Sequence, residues 1–254
     1  MTTLAIVQAR MSSTRLPGKV LEPVAGAPMI VQQLARVARA NLVDDIVVAT
    51  STDNADDPLV RTVEDAGYRV HRGSLHDVLG RFLEVIDGDQ SDVIVRITAD
   101  CPLISPAVID AVIRAFTDAD VDYASNTLTP TYPDGLDVEV VSASALRRLA
   151  QHTLDADEHE HVTLGIYRRP EEFDLLAVTA DTDHSDLRWT VDTPEDLAFV
   201  RWVYEALQPS DPEFEYEDVL ALLATHPERN RTASDGLRNA ALAGKDTGAM
   251  RNTP

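Results

Sequence analysis

The chain is almost without lysine. Lys19 and Lys245 are the only two in 254 residues, and 43 acidic residues outnumber 22 basic ones for a formal charge of -21. That balance excludes a general nucleic-acid binder, because affinity for a phosphate backbone needs a broad basic surface. A single cysteine, Cys101, excludes a disulfide framework and a multi-cysteine zinc site. No apolar run approaches the roughly 20 residues that cross a bilayer. The first apolar run stops at Arg10, too short for a signal segment with its cleavage site. A soluble, cytoplasmic protein with no membrane partner is expected. Also missing are a Walker A spacing, a G-x-G-x-x-G after the first strand, and any H-E-x-x-H.

What is present is a regular alternation. "TTLAIVQA" and "DDIVVATS" read as buried strands, and "YRVHRG" and "DVIVRITAD" as a third and a fourth strand. "PMIVQQLARVARA", "DPLVRTVEDAG", "LHDVLGRFLEVID" and "SPAVIDAVIRAFTDA" read as the helices between and after them. Four such units predict an α/β fold with a mainly parallel sheet covered on both faces, binding its ligand at the carboxyl ends of the strands. After Val121 the pattern changes: "YPDGLDVEVVSA" predicts a turn into a strand and "LRWTV" a further strand. "TPEDLAFVRWVYEAL" carries a Thr193 cap, Pro194 and early acids, a strong helix start. "EYEDVLALLAT" is a last helix. One domain over residues 1–226 is expected, with an excursion near 123–185 and a loosely held polar tail from 227 to 254.

The first loop stands out. From Met1 to Leu21 there is no acid, yet Arg10, Arg15 and Lys19 fall together just past the first strand. Ser12, Ser13 and Thr14 add small hydroxyls and open backbone N–H groups, and Pro17-Gly18 shapes a turn. Converging cations and backbone donors suit a polyphosphate.

"ARMSSTRLPGKVL" resembles the first-loop motif of the cytidylyltransferases that activate sugar acids. The likeness is to deoxy-octulosonate cytidylyltransferase and, more, to the SpsF spore-coat polysaccharide family. It continues through "HDVLGRF", "RITADCPLI", "YPDGLDVEV", "EHVT" and "RWTVDTPEDL", covering roughly Thr3 to Leu207. "ADCP" stands where octulosonate enzymes often carry Gly-Asp-Glu-Pro, which favours the SpsF-like branch.

The resemblance implies a three-layer, Rossmann-like nucleotidyltransferase fold of the GT-A kind. It implies CTP and a small anionic acceptor as partners, Mg²⁺ as cofactor, and a homodimer. Arg10, Arg15 and Lys19 are then catalytic phosphate contacts. Ala9, Ser12, Ser13, Thr14, Arg72, Gly73, Thr98 and Ala99 surround the nucleotide. Asp100 and Asp192 hold the metal, while Asp134, Asp137, Glu139, Glu160, His161 and Arg188 face the acceptor. Taken singly, Asp100 and Asp192 suit turn and helix capping equally well. Other readings are a nucleotidyltransferase for a sugar phosphate or phosphonate, and a non-catalytic nucleotide-binding module. A glycosyltransferase fits less well, since its Asp-x-Asp pair is missing at "ADCP".

Overall fold

A computed structural model describes residues 1–232 and residue 234. Strand β1 (Thr3–Gln8) leads through the cationic loop to a 3-10 turn at Lys19–Leu21. A small hairpin, β2 (Pro23–Val24) and β3 (Ala27–Pro28), then precedes helix α1 (Met29–Val37). The alternation continues with β4 (Asp45–Ser51), α2 (Asp57–Asp65), β5 (Arg69–Gly73), α3 (Val78–Gly88), β6 (Val93–Thr98) and α4 (Pro106–Ala119). All eight elements of the expected repeat are present.

Seven strands form one sheet in the order β5-β4-β1-β6-β8-β7-β9. The first four pair in parallel, as do β7 and β9, while β8 runs antiparallel to both its neighbours. Here β7 is Tyr123–Ser125, β8 is Glu139–Ser142 and β9 is Leu175–Ala177. β1 shows why the strands read as unbroken apolar runs. Leu4 and Ile6 join one buried cluster with α3, whereas Ala5 and Val7 join another with α1 and α4. A strand covered on both faces has no polar side to show.

The excursion holds three short helices that periodicity did not reveal, α5 (Ala143–Leu149), α6 (Ala156–Glu160) and α7 (Leu164–Tyr167). The chain closes with α8 (Pro194–Leu207) and α9 (Tyr216–Thr225). Thr193 caps α8 in a reciprocal box with Asp196, as the sequence predicts. Phe199, Val200, Val203 and Tyr204 of α8 are spent on the chain's own core. No helix among the described residues is long and apolar enough to cross a membrane.

The strand expected at Leu187–Val191 does not form. Trp189 and Val191 are buried, but the backbone pairs with a different segment at nearly every step. Leu187 accepts from Asp134, Arg188 N–H donates to Arg231, Trp189 to Asp134, and Val191 to Asp100. Alternating apolar and polar residue types predict an extended chain, not a common partner. Residues 227–232 likewise dock onto the fold, since Thr232 bridges Leu187 and Arg231 pairs with Asp196 at 2.9 Å. Apart from Ser234, the rest of the expected tail lies outside the described residues.

Gly135 makes that crossing possible. Its φ of +110° is closed to side-chain-bearing residues, and a Cβ there would lie 2.6 Å from the backbone nitrogen of Thr190. Gly135→Ala is expected to cost about 1–3 kcal/mol. Urea unfolding would register this as a lowered midpoint, and an unchanged midpoint would contradict the close approach.

Candidate active site

Strand order places the cleft. The chain steps from β1 out to β4 and β5, then returns to β6 on the other side of β1, so the loops after β1 and β6 diverge and leave a crevice. Gln8 and Thr98 are register partners at the carboxyl ends of those strands. The cationic loop and Asp100 therefore leave the sheet side by side. A cleft of about 420 Å³ opens there.

Lys19 sits at its centre. Gly18, left-handed at φ +74°, turns the loop into the 3-10 segment that carries Lys19 inward. The buried ammonium donates to the Val191 carbonyl at 2.6 Å, to Asp192 Oδ1 at 3.1 Å and to Asp100 Oδ2 at 3.4 Å. Burial works against its charge, but Asp100 and Asp192 more than offset that, so its pKa is raised. Burial likewise pushes the Asp100 carboxyl up. Lys19 and a 2.6 Å bond from Thr98 Oγ1 overcome this and hold it below the usual carboxylate value. Cys101, buried next door, has its thiol pushed up, so it acts as packing.

Two carboxylates sharing one cation lie within the sum of two hydrogen-bond lengths. Such a pair suits a divalent ion that takes its remaining ligands from phosphate and water. Among the described residues no cluster of three or more His, Cys, Asp or Glu could hold a metal ion. His159 pairs instead with Asp77 at 2.9 Å.

Arg15 reaches Asp192 at 3.0 Å, and Arg10 reaches Glu160 of α6 at 3.2 Å. The loop closes on itself through Gly18 N–H to the Met11 carbonyl, and the Met11 N–H is held by Asp56. Ala9, Ser12, Ser13, Thr14, Thr98 and Ala99 all line the cleft. Arg72 and Gly73 are not among its lining residues. Arg72 donates to the Ser51 and Asp53 carbonyls and pairs with Asp57, while Gly73 lies against the stem of Arg81.

Asp134, Asp137, Glu139, Glu160, His161 and Arg188 line the cleft too. Their roles differ from one another. Arg188 is buried and spent on carboxylates, with Nη1 on Asp134 at 2.8 Å and Nη2 on Asp192 at 2.7 Å. It orients the loop that carries Asp192, and its remaining nitrogen, Nε, is buried without a hydrogen-bond partner. Glu139 accepts from Arg96, Tyr123 and Thr163. Arg96 and Tyr167 also line the cleft, though motif reading did not select them. Arg96 had left a signal: a charge inside the apolar strand "VIVRIT".

The cytidylyltransferase family model matches residues 4–235. The chain belongs to the cytidylyltransferase family. It is similar to the spore coat polysaccharide biosynthesis protein SpsF of Bacillus subtilis, 34% identical over 232 residues, covering 89% of this chain and 95% of that one. It is also similar to the 3-deoxy-manno-octulosonate cytidylyltransferase of Mesorhizobium japonicum, 40% identical over 127 residues, about half of each chain (49% and 52%). Among solved structures, a cytidylyltransferase from Leptospira borgpetersenii superposes with a TM-score of 0.86 at 28% identity, over 94% of this chain and 98% of that one. A CMP:2-keto-3-deoxy-manno-octonic acid synthetase solved with CTP shares the fold, with a TM-score of 0.63 at 19% identity over 81% of this chain and 99% of that one. This cytidylyltransferase is accordingly a CTP-dependent nucleotidyltransferase enzyme.

His161 gives the site a pH signature. Burial first, and then the Arg96 charge, hold its pKa below 6.5 against Glu160, Asp157 and Glu139. The unfolded chain therefore takes up a proton first as pH falls. The stability this residue contributes is complete above pH 6.5 and declines below it, toward the lower folded value. Urea midpoints for wild type and His161→Gln should differ less at pH 5 than at pH 7.5. A constant difference would mean that the imidazole titrates as it does in water.

Proposed function

We propose that the enzyme transfers CMP from CTP to a small anionic acceptor, a sugar acid, with Mg²⁺ and release of pyrophosphate. The observation that carries this is the Lys19 ammonium lying between Asp100 and Asp192 at the mouth of a loop free of acid. A polyphosphate entering there meets Arg10, Arg15, Lys19 and the open backbone of Ser12 to Thr14.

Asp100 and Asp192 would hold Mg²⁺, which supplies charge neutralisation for the phosphates when bound. The chain's own residues do the rest. Lys19 and the two arginines orient the triphosphate and stabilise the charge that moves onto the leaving group. An acceptor hydroxyl oxygen bonds to the α-phosphorus, the bridging α–β P–O bond breaks, pyrophosphate departs, and the hydroxyl proton leaves to solvent. Catalysis is then mostly positioning and preorganised electrostatics. Arg188, fixed by Asp134, keeps Asp192 aimed at the cleft.

Pyrophosphate release, followed by a coupled assay with a panel of sugar acids, sugar phosphates and phosphonates, tests this directly. CTP should be preferred over UTP, GTP and ATP, and activity should vanish on chelating divalent ions. Asp100→Ala, Asp192→Ala and Lys19→Met should each lower kcat by roughly 10²-fold or more while the far-ultraviolet dichroism stays unchanged. Variants that keep full activity would leave a nucleotide-binding module, and equal use of all four nucleotides would defeat the base assignment.

A further inference from the structure

β6 carries an arginine where its neighbours on the same face are apolar. Arg96 shares the side of the sheet on which Ile94 is buried with Leu4 and Ile6, and its side chain is only 9% exposed. A guanidinium in such a place is costly unless its donors are used. Two sides are used: Nη1 is paired with Glu139, its register partner on β8, and Nε donates to Gln8 Oε1 at 3.0 Å. Glu139 in turn takes the hydroxyls of Tyr123 and Thr163 on its other oxygen, Oε2, so its charge is shared.

The third nitrogen, Nη2, has no hydrogen-bond partner among the described residues and is not sealed from solvent, and Arg96 lines the cleft. Two further cleft-lining groups share that state. The Tyr167 hydroxyl and the His161 imidazole have no hydrogen-bond partner among the described residues. Arg96 is close enough to disfavour protonation of His161, which stays neutral and offers one N–H. Burial keeps the Tyr167 phenol protonated, so it offers one O–H.

We propose that Arg96 Nη2, the Tyr167 hydroxyl and the His161 N–H receive the carboxylate of the acceptor, and that Arg96 sets the preference for an acid over a neutral sugar. The proposal rests on the cytidylyl-transfer reading of the cleft. Three unused donors with no acceptor of their own match a carboxylate, which has about four lone-pair sites, better than a hydroxyl, which has two. Arg188 suits that role less, because both its terminal nitrogens are already on carboxylates and its unpaired Nε is sealed from the cleft. Charge-assisted bonds from an anchored guanidinium also lose little freedom on binding.

The test is equilibrium binding to full-length protein saturated with Mg²⁺ and an α,β-methylene analogue of CTP, which cannot release pyrophosphate. The probes are 3-deoxy-manno-octulosonate, gluconate and glucuronate, with glucitol and glucose as neutral counterparts. At least one acid should bind tenfold or more tighter than the neutral sugars. Arg96→Lys keeps Glu139 paired, and Tyr167→Phe keeps the ring packing. Each should weaken that acid about tenfold, leave the nucleotide analogue's Kd unchanged, and shrink the acid-to-neutral ratio. Acids binding no better than neutral sugars, no acid binding at all, or variants that keep the ratio would overturn the proposal while the transfer reading stands. Failure of wild-type protein to bind the analogue would remove both.

Discussion

The contact on which the site depends is the Lys19 ammonium held by Asp100, Asp192 and the Val191 carbonyl. Two carboxylates this close repel each other. Lys19 offsets that repulsion and aims both at one point. The ammonium also draws together the ends of two chain segments, after β6 and before α8, that are about ninety residues apart in sequence. A protein of charge -21 would repel a nucleoside triphosphate over most of its surface. The acid-free loop supplies three cations at that point, each held in the folded chain by a carboxylate from another segment.

Around that contact the fold places a second cation where no ligand is needed. Arg188 links Asp134, Asp192 and Asp196, and Arg231 grips Asp196 from the segment beyond the last helix. Buried ion networks rarely add much net stability, because desolvation consumes what the charges gain. Their contribution here is direction: Asp196 takes the N–H groups of Asp192 and Thr193 and so sets the angle at which the Asp192 loop enters α8. The loop that carries Asp192 is thus held by side chains spent on one another, Arg188 and Asp134 at the cleft wall and Asp196 and Arg231 behind them.

The first half of the chain was legible because β1, β4 and β6 are unbroken apolar runs and the helices between them are amphipathic and bounded by caps or turns. The second half was not. β7 and β9 have three residues each, and α6 and α7 only five and four, too few to show a period. "LRWTV" alternates like a strand yet pairs with three different segments, which no local pattern encodes. Within the site, the loop residues and the two aspartates could be picked out from type, position and motif. Arg188 and Arg72 could not be placed, because whether an arginine meets a ligand or a carboxylate depends on what lies opposite it in space.

By itself the sequence determined the layered α/β architecture, the edge of the sheet where a ligand would enter, and the set of cations and carboxylates available there. These follow from periodicity, chain direction and residue chemistry, all of which are local. Only the tertiary structure decided which charge neutralises which. It gave Lys19 to Asp100 and Asp192, spent Arg188 on orientation, turned Arg72 away, and left an edge of Arg96 open to the cleft. Pairing of that kind is settled by distances across the folded chain, and those distances come from packing rather than from order along the backbone.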